Sequence, residues 1–224
     1  MEPVTDTSDR LVVVRRTVLR VVLPLAVLIV GVLGVARLSG ISVTDLLRDP
    51  SATLDGPWYI GLFSTAGISL WAAAAAICLL LTSVLPAGVE RRLFLAGGVV
   101  SLILGADDGF LIHETIKNTI GIPSPVTIGL YGIVTVVLFA RVWSYLTRRS
   151  EFWVFVLAVV LFAVSVVLDG AGEAGLPTPP FSAIIEDIAK FLGIATWTTF
   201  FALAGAAALR RLIARDNVAS SNVE

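Results

Sequence analysis

Six apolar runs, residues 17–38, 58–85, 92–116, 126–146, 152–170 and 183–209, dominate the chain. Each reaches about the 20 residues that a helix needs to cross ~30 Å of hydrocarbon. In lipid every backbone polar group must find its partner internally, so runs of this length are read as helices and not as open strands. The expected fold is all-α: a polytopic membrane bundle of six transmembrane helices.

With 57% hydrophobic and 15% charged residues over 224 positions, the chain is too apolar for an ordinary soluble domain. The reading divides it into a tail (1–16), one six-span domain (17–209) and a second tail (210–224). The first run could pass for a signal peptide, but no small-residue cleavage motif follows it. Arg20 and Arg37 can instead snorkel to opposite interfaces around a spanning helix. Cys78 is the only cysteine, which rules out an internal disulfide, and its alanine-rich surroundings assign it to packing.

Basic residues order the spans. Arginines 10, 15, 16 and 20, then 91 and 92, then 141, 148 and 149, and finally 210, 211 and 215 fall on one side; Arg37, Arg48 and Lys117 fall on the other. The positive-inside rule then puts both termini in the cytoplasm, in a multi-pass protein of the plasma (cytoplasmic) membrane. Trp58 and Tyr59 mark the outer interface, and Trp143, Tyr145, Phe152 and Trp153 the inner one. Trp71 and Trp197 fall mid-span and read as packing. The arginine pairs 91/92, 148/149 and 210/211 read as topology signals and anionic-lipid contacts.

Three smaller features complete the map. Residues 41–57 contain a capping-box-like start at Ser42 and suit a short helix on the membrane surface. Residues 170–181, rich in Gly and Pro, suit an irregular segment roofing a cavity. Ala72 to Ala76 with Gly67 and Gly61 suit a face for close helix packing.

Against this background the third run is anomalous: Asp107, Asp108, Glu114 and the sole histidine, His113, lie within it. A charged side chain at the centre of a membrane helix costs roughly 2.5–3.5 kcal/mol on insertion scales, so such a cluster needs partners or a purpose. Asp169 lies at the end of the fifth run with Glu173 just beyond it, and Glu186, Asp187 and Lys190 begin the sixth. Alternating direction brings all three groups to the same outer depth. On one continuous helix, Asp107 and Glu114 share a face, Asp108 flanks it and His113 points about 120° away. Lys190 follows Glu186 by four and Asp187 by three, the order for a helical ion pair. Glu186 and Asp187 read as first-turn acids, which the helix dipole favours. Asp107, Asp108, Glu114, Asp169 and Glu173 read as acids at the unfavourable C-terminal ends of their helices.

Carboxylates with one imidazole suit a divalent metal ion such as Zn, Mn, Fe or Ca. The ligand candidates are Asp107, Asp108, His113, Glu114, Asp169 and Glu186. Glu173 or Asp187 would serve as general base and Lys190 as anion stabiliser. Lys at position 117 breaks the H-E-x-x-H zinc motif, and a three-histidine site is impossible with one histidine. The expectation is a metal-dependent, hydrolase-like membrane enzyme whose partners are membrane lipid or another hydrophobic small molecule. Nucleic acid is not expected, because no extended basic face exists. A cation or proton-coupled transporter is the second reading, opposed by inner half-spans that lack ionisable groups. The third is a structural polar network, in which seven acids would face one Lys and one His.

Overall fold

The computed structural model describes residues 19, 23–40 and 61–221. The surface helix expected within 41–57 and the interfacial Trp58 and Tyr59 lie outside these residues. The chain forms two compact units, residues 1–60 and 61–224. In the first, the described helix is α1 (Leu23–Leu38), with Arg37 in its last turn, where free carbonyls favour a cation.

The second unit holds α2 (Leu62–Val84), α3 (Val89–Phe110), α4 (Ile112–Ile120), α5 (Ser124–Ala140), α6 (Trp143–Leu146), α7 (Phe152–Glu173) and α8 (Ser182–Ser221). Four of the described helices are long and apolar enough to cross a membrane: α2, α3, α7 and α8 as far as Ala214. The apolar helix α5 is shorter, at 17 residues. Sequence punctuation sets several ends. Leu85 precedes Pro86 and is extended, which stops α2. Pro123 caps α5 and Pro125 sits in its first turn. The segment after Glu173 is irregular as expected, with Gly175 in the left-handed region at φ 65°.

The largest departure from the sequence reading lies in the third run. It is not one helix: Leu111 adopts φ 48°, ψ 47° and divides it into α3 and α4. The fourth run is also divided, because the chain turns at Arg141 and Val142 before α6 and buries Val142 and Leu146 in doing so. The last helix continues beyond Leu209, its expected limit, to Ser221.

Helix α3 is central, packing against α2, α4, α5 and α6, while α8 packs on α7 and α2. The core is aromatic and centred on Trp197, whose ring meets Trp71, Phe139, Phe155, Phe162 and Phe201. Its indole N–H donates to Ser101 Oγ at 2.9 Å, so the buried polar tip is satisfied. Small residues let backbones close in: a Cβ on Gly97 would stand 2.1 Å from the Phe201 ring. The expected small-residue face is half realised, for Gly67, Ala74 and Ala75 are buried whereas Ala72, Ala73 and Ala76 are exposed. Cys78 is fully buried, in keeping with packing.

The outside is apolar as well. On α5, Val126, Leu130, Ile133 and Val137 form a stripe at helical spacing, each 48–62% exposed. Water would penalise such a face, whereas a bilayer solvates it.

At the end of α3 where Glu90 lies, Arg149 enters the protein with its side chain 5% exposed. It donates to Glu90 at 3.1 Å, Glu151 at 3.2 Å, the Tyr145 hydroxyl at 2.8 Å and the Ala204 carbonyl at 3.3 Å. Arg211 joins Glu90 as well. These two arginines are therefore bound to acids, while Arg91, Arg92, Arg148 and Arg210 stay exposed. Burial works to raise the Glu151 carboxyl, yet its own backbone N–H, Arg149 and Ser150 hold it below the usual carboxylate range.

Candidate functional site

The break at Leu111 builds the site. A helix that restarts exposes free N–H groups at its first turn, and Asp107, one turn before the break, turns back to meet them. Asp107 Oδ1 accepts the His113 backbone N–H at 2.9 Å. The same carboxylate accepts from the Tyr131 hydroxyl of α5 at 3.0 Å, and its Oδ2 lies 2.6 Å from His113 Nδ1. Asp107 is 6% exposed, and both of its oxygens are engaged. A carboxylate requires a donor at that nitrogen, so Nδ1 carries a proton, and in the neutral form of the ring the lone pair lies on Nε2.

The angular relation expected from one continuous helix fails across the break: Asp107 and His113 meet instead of pointing apart. The dipole argument changes for Glu114 too. It falls in the first turn of α4, where the dipole favours a carboxylate, and not at a C-terminal end.

Asp108 takes a separate pair of partners. Trp71 Nε1 of α2 donates to its Oδ2 at 2.8 Å, and Lys190 Nζ of α8 reaches its Oδ1 at 2.5 Å. The expected Lys190 pairing with Glu186 and Asp187 is therefore replaced by a pairing between helices. A local i,i+4 pair gains only a few tenths of a kcal/mol. A carboxylate on α3 that is 12% exposed has more to gain from a cation. Glu186 and Asp187 fall in the second turn of α8, beyond the first turn where they were expected, and Asp187 is exposed.

Lys117 and Glu173 join α4 to the end of α7 at 2.6 Å. The hydrogen bond to Glu173 and its charge hold the Lys117 ammonium above the ordinary lysine range, so it stays protonated. Beside this pair opens a cleft of about 160 Å³ lined by His113, Glu114, Lys117, Asn118, Ser124, Asp169 and Glu173. Helix α4 supplies four of these as a polar face, with Ile112, Ile116 and Ile120 on the opposite side. Of the Gly- and Pro-rich segment 170–181 expected as a roof, Glu173 is the residue that lines the cleft.

Of the nine predicted site residues, His113, Glu114, Asp169 and Glu173 line the cleft. Asp107 stands directly behind His113, and Asp108 and Lys190 pair with one another. Glu186 and Asp187 are not among the lining residues. Among the described residues, no three His, Cys, Asp or Glu side chains stand together in a metal-holding group. Five contributors were missed, among them Lys117, which was read only as an outer-side charge and as the residue that breaks the zinc motif. Trp71 was read as packing, although a mid-span indole N–H needs an acceptor. Tyr131 carried the same signal on α5. Asn118 and Ser124 had no signal beyond being polar at the ends of apolar runs.

A family model described as Domain of unknown function (DUF8692) matches residues 20–204. No curated protein and no solved structure matches the chain.

Proposed function

The chain belongs to the DUF8692 family, and from its residues we propose that it is a hydrolase-like membrane enzyme acting on a lipid or similarly hydrophobic substrate, with His113 as the group that moves the proton. One observation carries this reading: an imidazole fixed through Nδ1 by a buried carboxylate, at the wall of a polar cleft. Asp107 sets the tautomer and orientation and would stabilise the imidazolium when Nε2 takes a proton. In a six-span arrangement with cytoplasmic termini, in the plasma membrane, the cleft opens at the outer surface, within reach of lipid headgroups. Glu114, Asp169 and Glu173 outweigh Lys117 there, which suits a neutral or cationic headgroup better than an anionic one.

A divalent ion is the second reading, favoured by Glu114 and Asp169, which line the cleft and have no salt-bridge partner among the described residues. Transport has less support. The buried polar side chains of the aromatic core include hydroxyls already bonded within it, Ser101 to the Trp197 indole and Thr198 to the Leu70 and Ile194 carbonyls.

The test is hydrolysis of a panel of long-chain esters and phospholipids by detergent-purified protein, with its metal content measured in parallel. His113→Ala should lower kcat/KM by about 10²–10⁴-fold, the range for loss of a general acid–base. Asp107→Asn should lose activity comparably. Turnover retained in both variants would refute the assignment, and a near-stoichiometric ion lost in a Glu114→Gln/Asp169→Asn variant would move it to the second reading.

A further inference from the structure

Ser124 has no part in the mechanism so far, yet it lines the same cleft as His113. It is held firmly. Its neighbours are Pro123 and Pro125, whose rings fix φ on either side and restrict the residues before them. Its residue is 2% exposed and borders the cleft. Glu173 lies close enough to the Ser124 hydroxyl to take a hydrogen bond from it and within coulombic reach of His113; all three line the cleft, and Ser124 must turn from Glu173 to serve His113. Helix α5 carries Ser124 in its first turn and Tyr131 further along, and Tyr131 binds Asp107. One rigid element thus positions the hydroxyl and steadies the carboxylate behind the imidazole.

We infer that Ser124, His113 and Asp107 form a nucleophile–base–carboxylate triad, with Ser124 Oγ attacking the carbonyl carbon of a lipid ester. The proposal rests on the hydrolase reading above and deepens it. As the Oγ–carbon bond forms, the hydroxyl proton passes to His113 Nε2, and the carbonyl π electrons move onto oxygen. When the tetrahedral species collapses, the ester C–O bond breaks and the departing alkoxide takes that proton from His113, leaving an acyl-serine and a free alcohol. Water, deprotonated by His113, then attacks the acyl-serine. Its collapse returns the proton to Ser124 and releases the fatty acid. Lys117 and Asn118 border the cleft as donors for the oxyanion.

The experiment uses full-length protein in detergent and a long-chain alkyl fluorophosphonate. Attack by a serine replaces the P–F bond with an O–P bond and expels fluoride, leaving a fixed mass increment on one residue. One adduct per chain, mapped to Ser124, is expected. It should be absent in Ser124→Ala and form at least about 10²-fold more slowly in His113→Ala. Ester turnover should be lost in Ser124→Ala. Because the adduct is read on the unaltered protein, a variant that fails to fold leaves the result standing. Ester hydrolysis that persists in Ser124→Ala, or a wild-type adduct mapped elsewhere, overturns the triad while leaving His113 as a base acting on water. Neither adduct nor hydrolysis in the wild type would overturn both readings.

Discussion

Asp108 shows how one half-buried acid holds several helices. It draws an indole from α2 and an ammonium from α8 onto α3, and the Trp71 ring is also stacked on Phe162 with centroids 5.6 Å apart. Removing the indole donor leaves the carboxylate with Lys190 alone, whose side chain is 44% exposed. A hydrogen bond to a charged group contributes about 1.5–3 kcal/mol, so Trp71→Phe should destabilise the bundle by that order even though the aromatic packing is mostly kept. Denaturant titration of purified protein, compared with Trp71→Phe/Asp108→Asn, checks this. Equal loss in the single and double variants is the expected outcome, and additive losses would show that the two side chains are not coupled.

At the scale of elements, the break between α3 and α4 decides the site. Leu111 occupies the left-handed region, which costs an L-residue roughly 1–2 kcal/mol. Leu111→Gly should therefore raise stability by about 1 kcal/mol, read as a higher unfolding midpoint, provided the site keeps its geometry. A lower midpoint would mean that the Leu111 side chain contributes more than its backbone costs. Sequence reading grouped acids from three runs, and the structure brings Glu114, Asp169 and Glu173 to one cleft and Asp108 to Lys190, because position along each run follows from counting residues. It could not see the break, since no Gly or Pro marks positions 110–112 and the apolar period runs through them unchanged. Every error about mutual orientation, His113 against Asp107 and Glu114 against the dipole, descends from that single omission. Lys190 was misassigned for a different reason: i,i+4 spacing reports what lies nearby on one helix, whereas the carboxylate of α3 competes from outside it.

At the scale of the whole 61–224 unit, the polar chemistry of the described residues gathers at two ends of a bundle whose middle is aromatic. The end carrying Arg149 is a network of matched charges, and it gives folding a pH dependence of its own. Because the folded Glu151 carboxyl lies below its ordinary range, its contribution is complete above the unfolded value and is lost as pH falls through the folded one. Unfolding midpoints should decline on acidification below the usual carboxylate range, and Glu151→Gln should flatten part of that decline. An unchanged slope in Glu151→Gln would assign the acid sensitivity to other carboxylates.

The meeting of two helix ends at Leu111 has a consequence for how the site responds to its surroundings. Asp107 draws its compensation from a backbone N–H, a tyrosine hydroxyl and an imidazole of the same chain, none of which can be rinsed away or exchanged. Exposed ion pairs fade as salt rises, because mobile ions compete for them. A buried carboxylate stitched to its own main chain is shielded from that competition. Its grip on the imidazole should hold steady between dilute and saline surroundings, and between one lipid mixture and another.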